Sequence, residues 1–167
     1  MDTSRIVKSD LFSGEKISRN SPRLHALGDI DELSSVLGIA RAASKKQRVK
    51  DEVLEIQKIL IIVGSELATT ETFLNLLSKR IGQNELDSLV NKIEALKPFC
   101  PAPQDFVIPG DSLPSAYLHH ARTVARRCER RLIKLSESKE VTNTAIVEWF
   151  NRLGAYLFWM ALFEEVK

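Results

Sequence analysis

Phe106 to Arg131 reads FVIPGDSLPSAYLHHARTVARRCERR, an aromatic residue and a Pro-Gly turn running directly into a helical pattern. Leu118, Ala121, Ala125, Cys128 and Leu132 recur at spacings of three and four, the seam of a helix that buries one side. Arg122, Arg126 and Arg130 recur every four residues and stack on a second face, with Glu129 at its edge. Like charges at this spacing repel by about 0.2–0.5 kcal/mol per pair in an isolated helix. Three stacked arginines with one acid therefore face solvent or await an anion: a carboxylate from elsewhere in the fold, or a polyphosphate. A solvated basic face is the plainer reading. The planar guanidinium fork, always charged, suits either anion bidentately.

The totals bound what surrounds this helix. A chain of 167 residues supports one domain with a sizeable core. Its 24 basic and 22 acidic residues leave a net charge of +2, so the arginine stripe is local. That excludes a broad nucleic-acid surface. Cys100 and Cys128 form neither a disulfide framework nor a metal spacing, and Cys128 falls on the apolar seam. No Glu-x-x-His or His-x-x-x-His spacing occurs, which argues against a bundle metal site. The opening MDTSRIVKSD is too polar for a secretory signal, and the longest apolar run, Ile59 to Val63, is too short to span a bilayer. The expectation is a soluble, reduced, cytoplasmic protein that engages no membrane.

Four more helices flank the central one. Residues 1–28 lack a sustained period and read as a loop. Asp29 reads as an N-cap, with Glu32 completing a capping box, ahead of the stripe Leu33, Val36, Leu37, Ala40 and Ala43. A second helix over about 50–68 is apolar on nearly all sides, and Gly64 reads as a point of close helix approach. A turn or two of helix is expected around Phe73 to Leu77, then a helix from Asn84 to Leu96, stopped by Pro98, Pro101 and Pro103. Asn143 caps a last helix carrying Ile146, Trp149, Phe150, Leu153, Leu157 and Met160 on one side. No alternating strand pattern stands out. The fold class expected is all-α, an antiparallel five-helix bundle in a single domain, with a 1–28 segment preceding the bundle proper at 29–167.

Phe106-Val-Ile-Pro-Gly110, Leu118-His119-x-Ala121-Arg122 and Arg126-Arg127-x-Glu129-Arg130 together resemble the signature of the PduO-type ATP:cob(I)alamin adenosyltransferases. Leu27-Gly28-Asp29-Ile30-Asp31-Glu32-Leu33, Gly64-Ser65-Glu66-Leu67-Ala68 and Asn151-Arg152-Leu153 extend the resemblance along the chain. The resemblance implies transfer of the 5′-deoxyadenosyl group of ATP to the cobalt of reduced cobalamin, with release of triphosphate. ATP with Mg²⁺ held mainly by its phosphates, and cobalamin as substrate, are the implied ligands. It also implies a homotrimer with active sites between subunits, in which Asp31 meets Arg122 of a neighbouring copy. Phe106 would press on the lower face of the corrin and displace the axial ligand. Arg126, Arg127, Glu129, Arg130 and Asn143 would contact ATP, while His119 matches a family histidine and reads as a packed or hydrogen-bonded residue.

The N-terminal nucleotide loop is where the chain departs. The family carries Thr-Gly-Asp-x-Gly-x-Thr. The register followed back from Leu11-Phe12-Ser13-Gly14-Glu15 and Ser21-Pro22-Arg23 places Thr3, Ser4, Arg5, Val7 and Ser9 on that loop, with Asp10 next and Arg19 on a family lysine. Thr3, Ser4, Ser9, Asp10 and Arg19 are the ATP-loop candidates. Both glycines are replaced, and glycine serves such loops by letting backbone close on phosphate. Gly154-Ala155 likewise replaces a polar Ser-Asp pair. A catalytically degenerate paralogue that binds corrinoid or nucleotide without turnover is the alternative these departures raise.

Overall fold

The structure is a computed structural model and describes residues 7–100 and 103–166. Five α-helices carry it: α1 Pro22–Ala43, α2 Gln47–Leu67, α3 Gln83–Leu96, α4 Leu113–Glu137 and α5 Thr144–Glu165. Short 3₁₀ turns at Glu71–Leu76 and Lys97–Phe99 flank α3. The expected all-α bundle is present. α1 packs on α2 and α4, α4 on α5, and α5 on α3. α5 is the hydrophobic centre, with Trp149, Phe150 and Tyr156 fully enclosed against the α4 seam of Leu118, Ala121, Ala125, Cys128 and Leu132.

Three expectations are corrected. Residues before 29 are not all loop. A two-stranded antiparallel hairpin, β1 Lys8–Asp10 and β2 Lys16–Ser18, pairs Ser9 with Ile17. Its turn includes Gly14 at φ +89°, a left-handed conformation natural to glycine. The first helix starts at Pro22, not at Asp29: Ser21 is the cap, its side chain accepting from Leu24 N, and proline fits the first turn. The bundle therefore begins at residue 22. The third correction concerns α3, where Gly82 precedes the helix and Glu85 reaches back to accept from its amide at 3.0 Å, so Asn84 is not the cap.

Asp29, freed from capping, has a different duty. It is buried on the α4 side of α1, where it forms ion pairs with Arg131 and, at 3.4 Å, with Arg127. Glu32 pairs with Arg127 as well. This ladder fixes the antiparallel register of α1 on α4.

Two buried polar groups join the loops to the bundle. Arg23 donates to Leu67 O at 2.7 Å, at the end of α2, and to Glu140 O in the α4–α5 loop. Glu66 accepts from Arg80 at 2.9 and 3.0 Å, from Ile81 N at 3.3 Å and from Asn143 at 2.8 Å. Both satisfy carbonyls and amides that helix termini otherwise leave bare.

Two predictions follow from packing. Asp29→Ala leaves two half-buried guanidinium groups short of an acceptor and is expected to cost about 1–3 kcal/mol, read as a lower urea midpoint with unchanged m-value. Burial pushes the Cys100 thiol upward and the Cys128 thiol up to about 12. Both should resist an aromatic disulfide reagent near pH 8 in the native chain and react once it is unfolded, because the thiolate is the reactive form.

Candidate active site

The helical repeat splits the arginines of α4 into two sets. Arg127 and Arg131 face α1, where Asp29 and Glu32 neutralise them. Arg122, Arg126 and Arg130 lie along the other side. The resemblance implies that Arg127 joins Arg126 and Arg130 on ATP; the structure separates it from them and engages its guanidinium with Asp29 and Glu32 of its own chain.

Arg126 is held in place at both its head and its stem. Its Nη1 lies 2.6 Å from Glu129, one turn further along the helix. Glu129 is itself buried and accepts a 2.8 Å hydrogen bond from Asn151 of α5. The aliphatic stem of Arg126 passes over Gly154, where an added Cβ would stand 3.1 Å from Arg126 Cδ. Glycine at 154 leaves this stem uncrowded. A guanidinium has five donors, so pairing with Glu129 leaves several free for an anion. Arg122 and Arg130 have no carboxylate within ion-pair distance among the described residues, and Arg122 Nε is buried without a hydrogen-bond partner.

Glu129 and Asn151 also line a groove of about 530 Å³ between α4 and α5. Ile133, Val147 and Thr144 continue it toward the start of α5. There Asn143 caps the helix, its Oδ1 accepting from Ala145 N at 3.2 Å, as its sequence position predicts. Eight residues separate Asn143 from Asn151, about 12 Å along the helix axis. Thr144, next to that cap, lines one end of the groove, and Glu129, the carboxylate that pairs with Arg126, lines it as well.

The hairpin lies at the Asn143 end. Phe12 N donates to Ala68 O at 2.8 Å and Thr70 N to Ser13 Oγ at 3.2 Å, docking it on the segment that Arg23 and Glu66 tie to the α4–α5 loop. Ser9 and Asp10 sit on β1, and Arg19 Nε donates to Lys8 O at 3.1 Å, bracing the hairpin. Thr3 and Ser4 lie outside the described residues.

Phe106 and Ile108 stand fully or nearly fully exposed in the loop before α4, so Phe106 does not plug the core. Behind them, His119 is 3% exposed, meets Phe158 edge-on at 6.1 Å, and has neither ring nitrogen hydrogen-bonded. Burial, with nearby Arg122, holds its pKa below the ordinary histidine value.

Asp31 and Arg122 do not meet within one chain. The pairing of Arg127 with Glu32 and of Arg131 with Asp29 places Arg122 level with about Leu37, roughly 9 Å along α1 from Asp31. Asp31 instead borders an apolar groove of about 200 Å³ with Leu27, Ile30, Leu60 and Ile61, on the α2 side of α1. Gly64 lines that groove with open space above it, so no close helix approach within the chain requires it.

Sequence reasoning assigned no role to Glu66, Asn151 or Gly154. Each acts through a partner on another helix or loop, and only the folded packing of α4 on α5 and of α2 on the loops reveals those pairings.

Comparison with known proteins fits this geometry. Residues 7–164 match the Cobalamin adenosyltransferase family. A corrinoid adenosyltransferase of Citrobacter freundii is 37% identical over 155 residues, covering 93% of this chain and 88% of that one. The corrinoid adenosyltransferase PduO of the same organism is 32% identical over 155 residues, and this chain spans only 46% of its length. A variant PduO-type ATP:corrinoid adenosyltransferase from Lactobacillus reuteri, solved in complex with cobalamin and ATP, superimposes with a TM-score of 0.87 at 28% identity, over 98% of this chain and 89% of that one. With the family matched over nearly its whole length and the fold shared, this chain belongs to the cobalamin adenosyltransferase family.

Proposed function

We propose that the protein transfers the 5′-deoxyadenosyl group of ATP to the cobalt of reduced cobalamin. The observation that carries this reading is Arg126, fixed by a buried carboxylate at the end of a groove and flanked by two arginines with no ion-pair partner among the described residues. Cobalt(I) attacks the 5′ carbon with its own electron pair, the carbon–oxygen bond to the phosphate breaks, and triphosphate leaves with those electrons. The cobalt supplies the nucleophile. The protein aligns the reactants and stabilises the leaving group.

In this reading the groove between α4 and α5 takes the nucleotide. Asn143 and the hairpin residues Ser9, Asp10 and Arg19 border its adenosine and phosphate ends, with Arg126 and Arg130 on the triphosphate. Mg²⁺ enters as the counter-ion of that triphosphate. Thr3 and Ser4 are carried as further ATP ligands by the resemblance alone. Phe106, exposed in a lead-in loop, offers its ring to the corrin and excludes the axial ligand from the cobalt.

The site is completed between subunits of a homotrimer. Two features support this: Asp31 and Arg122 lack each other within one chain, and the face bearing Asp31 is apolar, with Ile61 70% exposed beside Gly64. An apolar face of this kind favours association. No helix among the described residues is long and apolar enough to cross a membrane, which is compatible with the cytoplasmic setting expected from the sequence.

Mixing the protein anaerobically with Mg-ATP and chemically generated cob(I)alamin should yield the photolabile adenosylcobalamin spectrum. Turnover would sink the degenerate-paralogue alternative, whereas absence of both turnover and calorimetric ATP binding would favour it. Arg126→Ala should lower kcat/KM by about 10²-fold or more, as loss of one preorganised charged donor does elsewhere; a loss under about threefold would remove Arg126 from the triphosphate site. Sedimentation should give a trimer. Asp31→Arg should weaken both assembly and activity, and adding Arg122→Asp in the same chain should restore part of each. Unchanged sedimentation and rate in Asp31→Arg would rule out the inter-subunit pair.

A further inference from the structure

The end of the bundle opposite Asn143 carries a cluster of aromatic rings and cations that the proposed reaction leaves without a duty. Phe99, in the turn after α3, meets Phe163 of α5 edge-on, with ring centroids 6.2 Å apart. The Arg48 guanidinium, from the first turn of α2, lies 5.5 Å from the Phe99 centroid and 5.2 Å from that of Phe163. Lys46 Nζ lies 4.8 Å from the Phe163 ring. Phe99 is 57% exposed, so much of its ring is open to a further flat group. Neither Lys46 nor Arg48 has a carboxylate within ion-pair distance among the described residues. Lys46 donates to Phe163 O and Val166 O and keeps one hydrogen, while Arg48 meets only Ala95 O, at 3.5 Å, among the described residues. The nearby carboxylates Glu164 and Glu165 are engaged by Ser44 and Ser115.

This cluster and Phe106 share one end of the molecule. Cys100 and Ser115 bracket Phe106 in the chain, and both meet the last two turns of α5. Cys100 Sγ lies 3.8 Å from Trp159 O, and Ser115 Oγ donates to Glu165 at 2.5 Å. Phe163 falls between these two anchors. The groove proposed for ATP lies further back. Its lining on α5 stops at Arg152, 11 residues and about 16 Å along the axis from Phe163. Beyond the rings, Arg48 also lines a separate polar groove of about 580 Å³ between α2 and α3, with Ser88 and Asn91 in its wall.

We infer that Phe99, Phe163, Arg48 and Lys46 receive the nucleotide tail of the corrinoid, whose base Phe106 keeps off the cobalt. The inference rests on the proposed adenosyl transfer and adds a second subsite for its corrinoid substrate. A base excluded from the metal stays tethered to the macrocycle. It is a flat benzimidazole, joined through a ribose to a phosphodiester that bears one negative charge. Such a tail calls for an aromatic surface and a cation within reach of the corrin. Phe99 offers the ring for stacking, and Arg48 and Lys46 offer charge to the phosphodiester. Ser88 and Asn91, in the groove beyond Arg48, offer hydroxyl and amide groups to the ribose. A tail seated here is kept from returning to the metal, so Phe106 excludes the base and this cluster holds it.

The test compares turnover of chemically generated cob(I)alamin with that of cob(I)inamide, the corrinoid without the tail, in wild type, Arg48→Ala and Phe99→Ala. Cobalt(I) carries no axial base in either corrinoid, so the comparison reads the tail and not the removal of the base from the metal. Wild type should show a KM for cob(I)alamin about tenfold below that for cob(I)inamide. Each variant should raise the KM for cob(I)alamin about tenfold, the pattern of lost uniform binding. The KM for cob(I)inamide, the KM for ATP and kcat should hold. Equal KM values for the two corrinoids in wild type, unchanged values in the variants, or a rise shared equally by both corrinoids would each overturn the inference. Should the alanine variants fail to fold, Arg48→Gln and Phe99→Leu keep most of the bulk while removing the charge and the ring, and the same outcomes apply. Wild type that turns over both corrinoids with one KM rejects only this inference. Wild type that turns over neither rejects the proposed function and this inference together.

Discussion

α4 carries five arginines, and its packing against α1 and α5 depends on how three of them are neutralised. Arg127 and Arg131 turn to α1, where Asp29 and Glu32 receive them. Arg126 pairs with Glu129 of its own helix, Asn151 of α5 donates to that carboxylate, and Gly154 of α5 lies beneath the arginine stem. The first set is closed within the chain and serves to register two helices. The second is left partly open, since Arg122 and Arg130 have no ion-pair partner among the described residues. The 100° step per residue decides which arginine falls in which set.

The loops are governed by a comparable economy of polar groups. Helix ends expose carbonyls and amides that water cannot reach once the ends are packed. Arg23 covers the end of α2 and the α4–α5 loop with one guanidinium, and Glu66 gathers four donors from two other segments. Because these buried groups are saturated, the segments they tie cannot shift independently. That matters for the groove, since the hairpin, the turn after α2 and the cap of α5 all converge at its one end. Rigidity there comes from buried hydrogen bonds, while the apolar residues around Trp149 and Phe150 hold the middle of the bundle.

The α4–α5 groove and the exposed Phe106 loop differ in character. The groove combines the fixed polar groups Glu129 and Asn151 with apolar Ile133 and Val147, whereas the loop offers bare aromatic and aliphatic side chains, Phe106 and Ile108. The apolar strip bearing Asp31 and Ile61 is a third surface, and a single chain leaves it uncovered.

Much of this was written locally in the chain. Apolar residues at spacings of three and four specified the helices, because one buried face is a property of the sequence and the helical pitch alone. Asn143 was legible as a cap for the same reason, since capping engages a backbone amide two residues away. Phe106 and the stripe of Arg122, Arg126 and Arg130 were legible as a motif. The role of Asp29 was not: a carboxylate three residues before Glu32 has the form of a capping box, and only the arrival of α4 turned it into a buried ion-pair partner. The start of α1 at Ser21 and the hairpin before it escaped the periodicity, since a three-residue strand shows no pattern and Pro22 passes equally for a loop residue. The separation of Arg127 from Arg126, the seat that Gly154 provides and the hold of Glu66 on Asn143 were decided by tertiary structure alone. Each depends on which helix lies opposite and in what register, and that is settled by contacts between residues far apart in the chain.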